Sequence, residues 1–198
     1  MPWRPAELRR VLDVVTVRAR TGTPSAVHAP PVAGDLADDF AGWRRLGDGE
    51  AGDVRGRLGE WAAAHLPALA VLEARWAEGA SGDTLAHGDL HADNVLLTAD
   101  GGDVFVDWPH AVRAAPWFGL PVLLPCVRAQ GGPDPEEVST AHPLGRTADP
   151  DAVTAALDAL TGYFLRSSLR PAPPGPPTLR PFQRVQGEAA LAWLRKRL

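Results

Sequence analysis

The chain has 198 residues, 45% of them hydrophobic, and a formal net charge of −4, so one domain with a real core is expected. Its basic residues are scattered, which excludes a nucleic-acid-binding stripe, and no apolar run approaches the roughly 20 residues of a membrane span. Asp13 interrupts the first valines, so no signal peptide is expected, and Cys126 is the only cysteine, which excludes an internal disulfide; the expectation is a cytoplasmic protein.

Residues 6–20 place Leu8, Val11, Leu12 and Val15 at helical spacing, and Gly22 and Pro24 end that helix. Residues 22–34, rich in Pro, Ala and Gly, read as a loop. From 35 to 79 the pattern is helical with breaks. Leu36, Phe40 and Trp43 form one apolar stripe, Val54, Leu58 and Trp61 a second, and Pro67 starts a third run with Leu69, Leu72 and Trp76 on one face. Asp35, Asp38, Asp39, Asp48, Glu50 and Asp53 read as a solvated acidic face, with attraction of a cationic substrate as the alternative. Residues 47–52 match G-x-G-x-x-G. They follow a helical segment and carry acidic neighbours that would repel phosphate, so they read as a helix–helix connection.

The chemistry concentrates in residues 85–108, LAHGDLHADNVLLTADGGDVFVDW. Two apolar runs, 95–97 and 104–106, flank Asp100-Gly101-Gly102, the pattern of a tight β-hairpin. Pairing those strands brings Asn94, which precedes the first, near Asp107, which closes the second. Asp89, Asn94 and Asp107 then surround one small volume, an oxygen-rich site suited to a hard cation. Two blander or rival readings stand beside this one. A His-Gly-Asp turn is common loop chemistry. His87, Asp89, His91 and Asp93 could form a zinc cluster, although Gly88 and the loop context argue against a helix that puts both histidines on one face.

His87-Gly88-Asp89, then Asn94 five positions after Asp89, then Asp107-Trp108 beyond a hairpin, resemble the catalytic core of the aminoglycoside phosphotransferase and choline kinase group of kinase-like enzymes. The resemblance implies an α+β, mostly helical fold: the C-terminal lobe of a kinase-like phosphotransferase with one catalytic β-hairpin, spanning 1–198, with 171–181 as a Pro-rich connector to the last helix. It implies transfer of the γ-phosphate of ATP to a small-molecule hydroxyl. Asp89 would be the catalytic residue that accepts the hydroxyl proton, Asn94 and Asp107 would hold Mg²⁺, and His87, His91 and Trp108 would support them. Members of the group grip the nucleotide phosphates with a lysine on a strand of an N-terminal lobe. Here Lys196 is the only lysine, and no Gly-rich strand pair precedes Asp89. The chain therefore reads as the C-terminal lobe alone, with feeble turnover by itself. The group also places an acidic residue where this chain has Gly119, and no Asp or Glu occurs between Asp107 and Asp134. His110 is a candidate replacement support.

Leu120, Leu123, Leu124 and Val127 suggest a buried helix, with Pro116 and Pro121 near its first turn and Pro125 expected to kink or shorten it. Cys126, inside that run, reads as a packed small hydrophobe. Residues 134–144 read as a short, Pro-bounded helix or loop. Asp149 caps a clear helix with Pro150 at its first position and Val153, Leu157, Leu160 and Phe164 on its core face. Residues 183–198 close the chain as an amphipathic helix through Val185, Ala189 and Trp193, with Arg195, Lys196 and Arg197 at the negative end of its dipole. Two other functions compete: a non-catalytic, truncated kinase-like binding module, and a metal-dependent hydrolase built on His87, Asp89 and His91. Neither a nucleic-acid nor a membrane partner is expected. The acceptor and the oligomeric state are not legible.

Overall fold

Pro5 opens the first helix, α1 (Pro5–Thr21), where its missing N–H is no loss, and Leu8, Val11, Val15 and Ala19 turn inward. The computed structural model describes residues 3–50, 52–174 and 177–198. An extended stretch leads to α2 (Val32–Asp35), followed by α3 (Gly42–Gly47), α4 (Val54–Leu58), α5 (Glu60–Glu73) and α6 (Trp76–Gly79). Leu36, Phe40 and Trp43 are all buried, but they do not share one helix: Leu36 ends α2, Phe40 lies in a turn and Trp43 opens α3. Pro67 does not start a helix either; it lies inside α5. There it costs one backbone hydrogen bond on an exposed face, while buried Ala62 and Leu69 hold both halves of the helix to the core.

Two small antiparallel sheets position the site. Strand β1 (Thr84–His87) pairs with a later strand from Thr84↔Ala114 to His87↔Ala111. A 3-10 turn (Ala92–Asn94) leads into β2 (Val95–Leu96), which pairs with β3 (Val104–Phe105) as the expected hairpin, in the register Val95↔Phe105 and Leu96↔Val104. Gly101 turns it with φ +82°. The partner of β1 is β4 (Ala111–Ala114), and neither of these outer strands was visible in the sequence pattern.

Helix α7 (Gly119–Ala129) buries Leu120 through Val127 as one block and continues past Pro125, which does not shorten it. Then come α8 (Pro135–Ala141), α9 (Pro143–Arg146) and α10 (Pro150–Ser168), whose first turn Asp149 caps by accepting from the Asp151 N–H. Helix α11 (Leu179–Arg197) begins before the expected position, so the Pro-rich connector ends at Thr178; Gly175 and Pro176 lie outside the described residues. The inward face of α11 also differs from expectation. Val185 is exposed, whereas Gln183, Gln186, Gly187, Ala190, Trp193 and Leu194 are buried. Helix α10 decides this by packing so close at Gly187 that a Cβ there would meet Leu165 Cδ2 at 2.8 Å. The result is the α+β, helix-dominated architecture of a kinase-like C-terminal lobe with a small hairpin. Among the described residues no helix is long and apolar enough to cross a membrane.

Candidate active site

Strand β1 delivers His87 to the junction of both sheets, where it is 3% exposed. Its Nε2 lies 2.9 Å from the Val106 carbonyl, an acceptor, so Nε2 carries the proton. Nδ1 is then free to accept the Asp89 N–H at 3.2 Å. Burial pushes the imidazole below its ordinary pKa, which keeps it in this neutral form. One side chain thus ties the turn carrying Asp89 to the residue just before Asp107. Trp108 packs its ring 4.6 Å from that of His87 and donates its indole N–H to the Phe105 carbonyl at 2.8 Å. Gly88 is required by close approach: its N–H donates to the His110 carbonyl at 2.9 Å, and a Cβ would meet that oxygen at 2.5 Å. His110 therefore supports the turn through its backbone, while its ring sits 3.6 Å from Asp35.

The loop then folds back on itself. Asn94, 5% exposed, donates Nδ2–H to the Asp89 carbonyl at 2.8 Å, and its own carbonyl accepts the Val106 N–H at 2.9 Å. Its side-chain oxygen takes no hydrogen bond from the described residues. Asp107 adopts φ 59°, the left-handed conformation that a non-glycine residue holds at a cost of roughly 1–2 kcal/mol. Its exposed carboxylate lies close enough to raise the proton affinity of both His87 and His91. The structure therefore gathers Asp89, Asn94 and Asp107 at the mouth of the hairpin.

Asp89 is about half exposed, with 53% of its side chain open, and His91 Nε2 stands 3.5 Å from its carboxylate. That contact holds the Asp89 carboxyl below the usual carboxylate range and lifts His91 above the usual imidazole range. Asn94 Nδ2 also lies 3.2 Å from the same His91 nitrogen. Nε2 can donate to Asp89 or accept from Asn94, but not both at once.

Gly119 stands at the start of α7, where a Cβ would lie 3.8 Å from Val15 and 4.0 Å from Leu90, so no side chain props the loop from that position. Cys126 partly replaces it, with Sγ accepting the Ala92 N–H at 3.5 Å; burial pushes this thiol up, away from reactivity.

The zinc reading fails on geometry. Both nitrogens of His87 are committed to backbone groups, and among the described residues no group of three or more His, Cys, Asp or Glu side chains could hold a metal. Asn94 Oδ1 and the Asp107 carboxylate are oxygen donors of the kind that could hold Mg²⁺, an ion that uses one or two protein ligands beside water and phosphate oxygens.

Next to Asp89 opens a cleft of about 70 Å³ whose polar lining includes Asp39, His91, His110, Tyr163 and Gln186. Phe40, Leu160 and Phe164 contribute apolar wall. Three of these residues, Asp39, Tyr163 and Gln186, had no motif or period to reveal them. The acidic face read from the sequence divides here. Asp38 pairs with Arg45 at 2.9 Å, Glu50 with Arg166 at 2.6 Å, and Asp53 accepts the Gly56 N–H at 3.0 Å as the α4 cap. Asp39 instead faces the cleft, and burial pushes its carboxyl up against the pull of His110. Residues 47–52 connect α3 to α4, as expected, with Ala51 outside the described residues.

No curated protein and no solved structure matches the chain. Residues 17–171, which hold α2 to α10 and the whole hairpin site, match the family described as the phosphotransferase enzyme family, APH, and the chain belongs to that family.

Proposed function

We propose that the protein transfers the γ-phosphate of ATP to a hydroxyl of a small molecule. One observation carries this reading: Asn94 Oδ1 and the strained Asp107 carboxylate take no hydrogen bond from the described residues, while His87 and Asn94 tie the Asp89 N–H, the Asp89 carbonyl and the Val106 carbonyl in place. Asp89 is the catalytic residue. Held ionised below the usual carboxylate range, it orients the acceptor hydroxyl and takes its proton as the oxygen–phosphorus bond forms and the bond to ADP breaks. Asn94 and Asp107 are the residues that would hold Mg²⁺, which supplies charge neutralisation on the transferred phosphoryl when bound. His87 fixes the spacing of the two aspartates, Trp108 packs that imidazole in place, and His91 orients the Asp89 carboxylate. Incubation with Mg²⁺, ATP and a panel of small alcohols, followed by phosphorus NMR, tests this: transfer that Asp89→Asn abolishes supports it, and transfer indifferent to that substitution sinks it.

A second reading, a non-catalytic binding module, is favoured by one fact. The single lysine, Lys196, is ion-paired with Asp134 at the far end of α11, so no lysine of residues 1–198 grips the phosphates. On our reading these residues form one C-terminal lobe and the grip comes from outside them. Turnover by the 198 residues alone is then feeble, and rapid transfer from ATP by this chain alone would contradict that division.

A further inference from the structure

Few buried side-chain polar atoms among the described residues lack a hydrogen bond, and two of them, His91 Nδ1 (3.9 Å from the Asp93 carboxylate) and Gln186 Oε1, belong to residues lining the same cleft as Asp89. Gln186 is 2% exposed, yet its amide oxygen accepts no hydrogen bond. A buried acceptor left without a donor is costly, and a ligand that brings a donor relieves that cost. The side chain is also held in place. Helix α11 is pinned to the catalytic loop by the Phe182 ring, edge-on to His91 at 5.5 Å, and to α10 at Gly187. One turn earlier, Gln183 accepts from Arg180 at 2.8 Å. Gln186 thus has a neighbouring amide that is satisfied while its own oxygen is not.

We infer that Gln186 is a specificity-determining residue of this cleft: its amide oxygen accepts a hydrogen bond from a donor group that the acceptor carries beside its reacting hydroxyl. The identification of that hydroxyl rests on the phosphoryl-transfer reading above. The cleft is small, about 70 Å³, and suits a compact end of a ligand. It selects an apolar face, because Phe40, Leu160 and Phe164 wall it. The chemistry that fits is a slim alcohol with one apolar side and a neighbouring hydroxyl or amine.

Three ring alcohols of nearly the same shape test the inference: trans-cyclohexane-1,2-diol, trans-2-aminocyclohexanol and cyclohexanol, titrated without nucleotide into the full chain and followed by NMR shift changes. The two donor-bearing alcohols should bind about tenfold tighter than cyclohexanol, the worth of one good hydrogen bond. Gln186→Met, which keeps the volume and removes the amide, should bring all three to the same affinity. Gln186→Glu keeps an acceptor, so it should retain the preference and move it toward the amine. Equal binding of all three probes by the natural chain overturns the inference, as does a preference that survives in Gln186→Met. Because no ATP is present, the titration is independent of turnover: a donor preference, together with transfer that is indifferent to Asp89→Asn, upholds this inference and defeats the transfer reading. Transfer by a chain that binds the probes indifferently does the reverse.

Discussion

The two ends of the β2–β3 hairpin are built from the same residue types and serve opposite ends. At the tip, both aspartates are spent on the fold. Asp103 takes the Arg10 Nε–H at 2.8 Å and pairs with the same guanidinium a second time, and it also accepts the Thr98 N–H at 3.0 Å. Asp100 accepts from the Thr98 hydroxyl at 2.6 Å and from the Gly102 N–H at 3.2 Å. At the mouth, the backbone is satisfied by His87 and Asn94, while Asp89, Asp107 and Asn94 Oδ1 are left open. An aspartate consumed by local hydrogen bonds is structural; one held rigidly and left unspent is available for a ligand. That difference, rather than residue type, separates the site from the turn only a few residues away.

The comparison breaks most sharply at Asp89. Asp89→Asn should lower phosphoryl transfer by roughly 10²–10⁴-fold, the usual worth of a positioned general base, with an unchanged melting temperature. Asp103→Asn should do the opposite, lowering the melting temperature while binding at the mouth persists; calorimetry and ligand titration on both variants check the pair. His87→Ala comes next. It leaves the half-buried Asp89 N–H and Val106 carbonyl without their partner and should cost about 1 kcal/mol in urea unfolding.

A third kind of carboxyl sharpens the contrast, one neither spent nor available. Asp158 in α10 is fully buried, both its oxygens lack partners, and burial with the nearby Glu73 charge pushes its pKa up to about 9. The folded chain holds this proton where the unfolded chain, with an ordinary value of 3.8, releases it. Its contribution to stability is therefore complete below the unfolded value and is lost progressively as pH rises toward about 9. Asp158→Asn should flatten that decline and stabilise the chain at pH 8 more than at pH 5, read from melting curves at both. The smallest effect is at Gly119. Ala fits the space beside Val15 and Leu90 without a clash and removes a flexible residue from the first turn of α7, so Gly119→Ala should stabilise by roughly 0.5–1 kcal/mol.

Much of this was readable along the chain. The hairpin was legible because alternating apolar residues around Asp100-Gly101-Gly102 form a local signal, and the α10 start was legible because Asp149-Pro150 is a complete cap within two residues. The outer strands β1 and β4 were not, since they are four residues each and pair across some 25 positions, with nothing periodic in TLAH or AVRA. Helix α11 was found and Trp193 is buried as expected, but the tight approach at Gly187 turned Gln183 and Gln186 inward and left Val185 exposed.

By itself, then, the amino-acid order determined the helical class, the hairpin and the spacing that unites Asp89, Asn94 and Asp107, because each depends on contacts within a few residues or on one turn. Only the tertiary structure decided which carboxylates are spent and which remain open, and which polar groups of α2, α10 and α11 border the cleft. Those outcomes depend on how helices far apart in the chain pack against one another, and hydrophobic periodicity records which face of a helix is apolar, not what will stand opposite it.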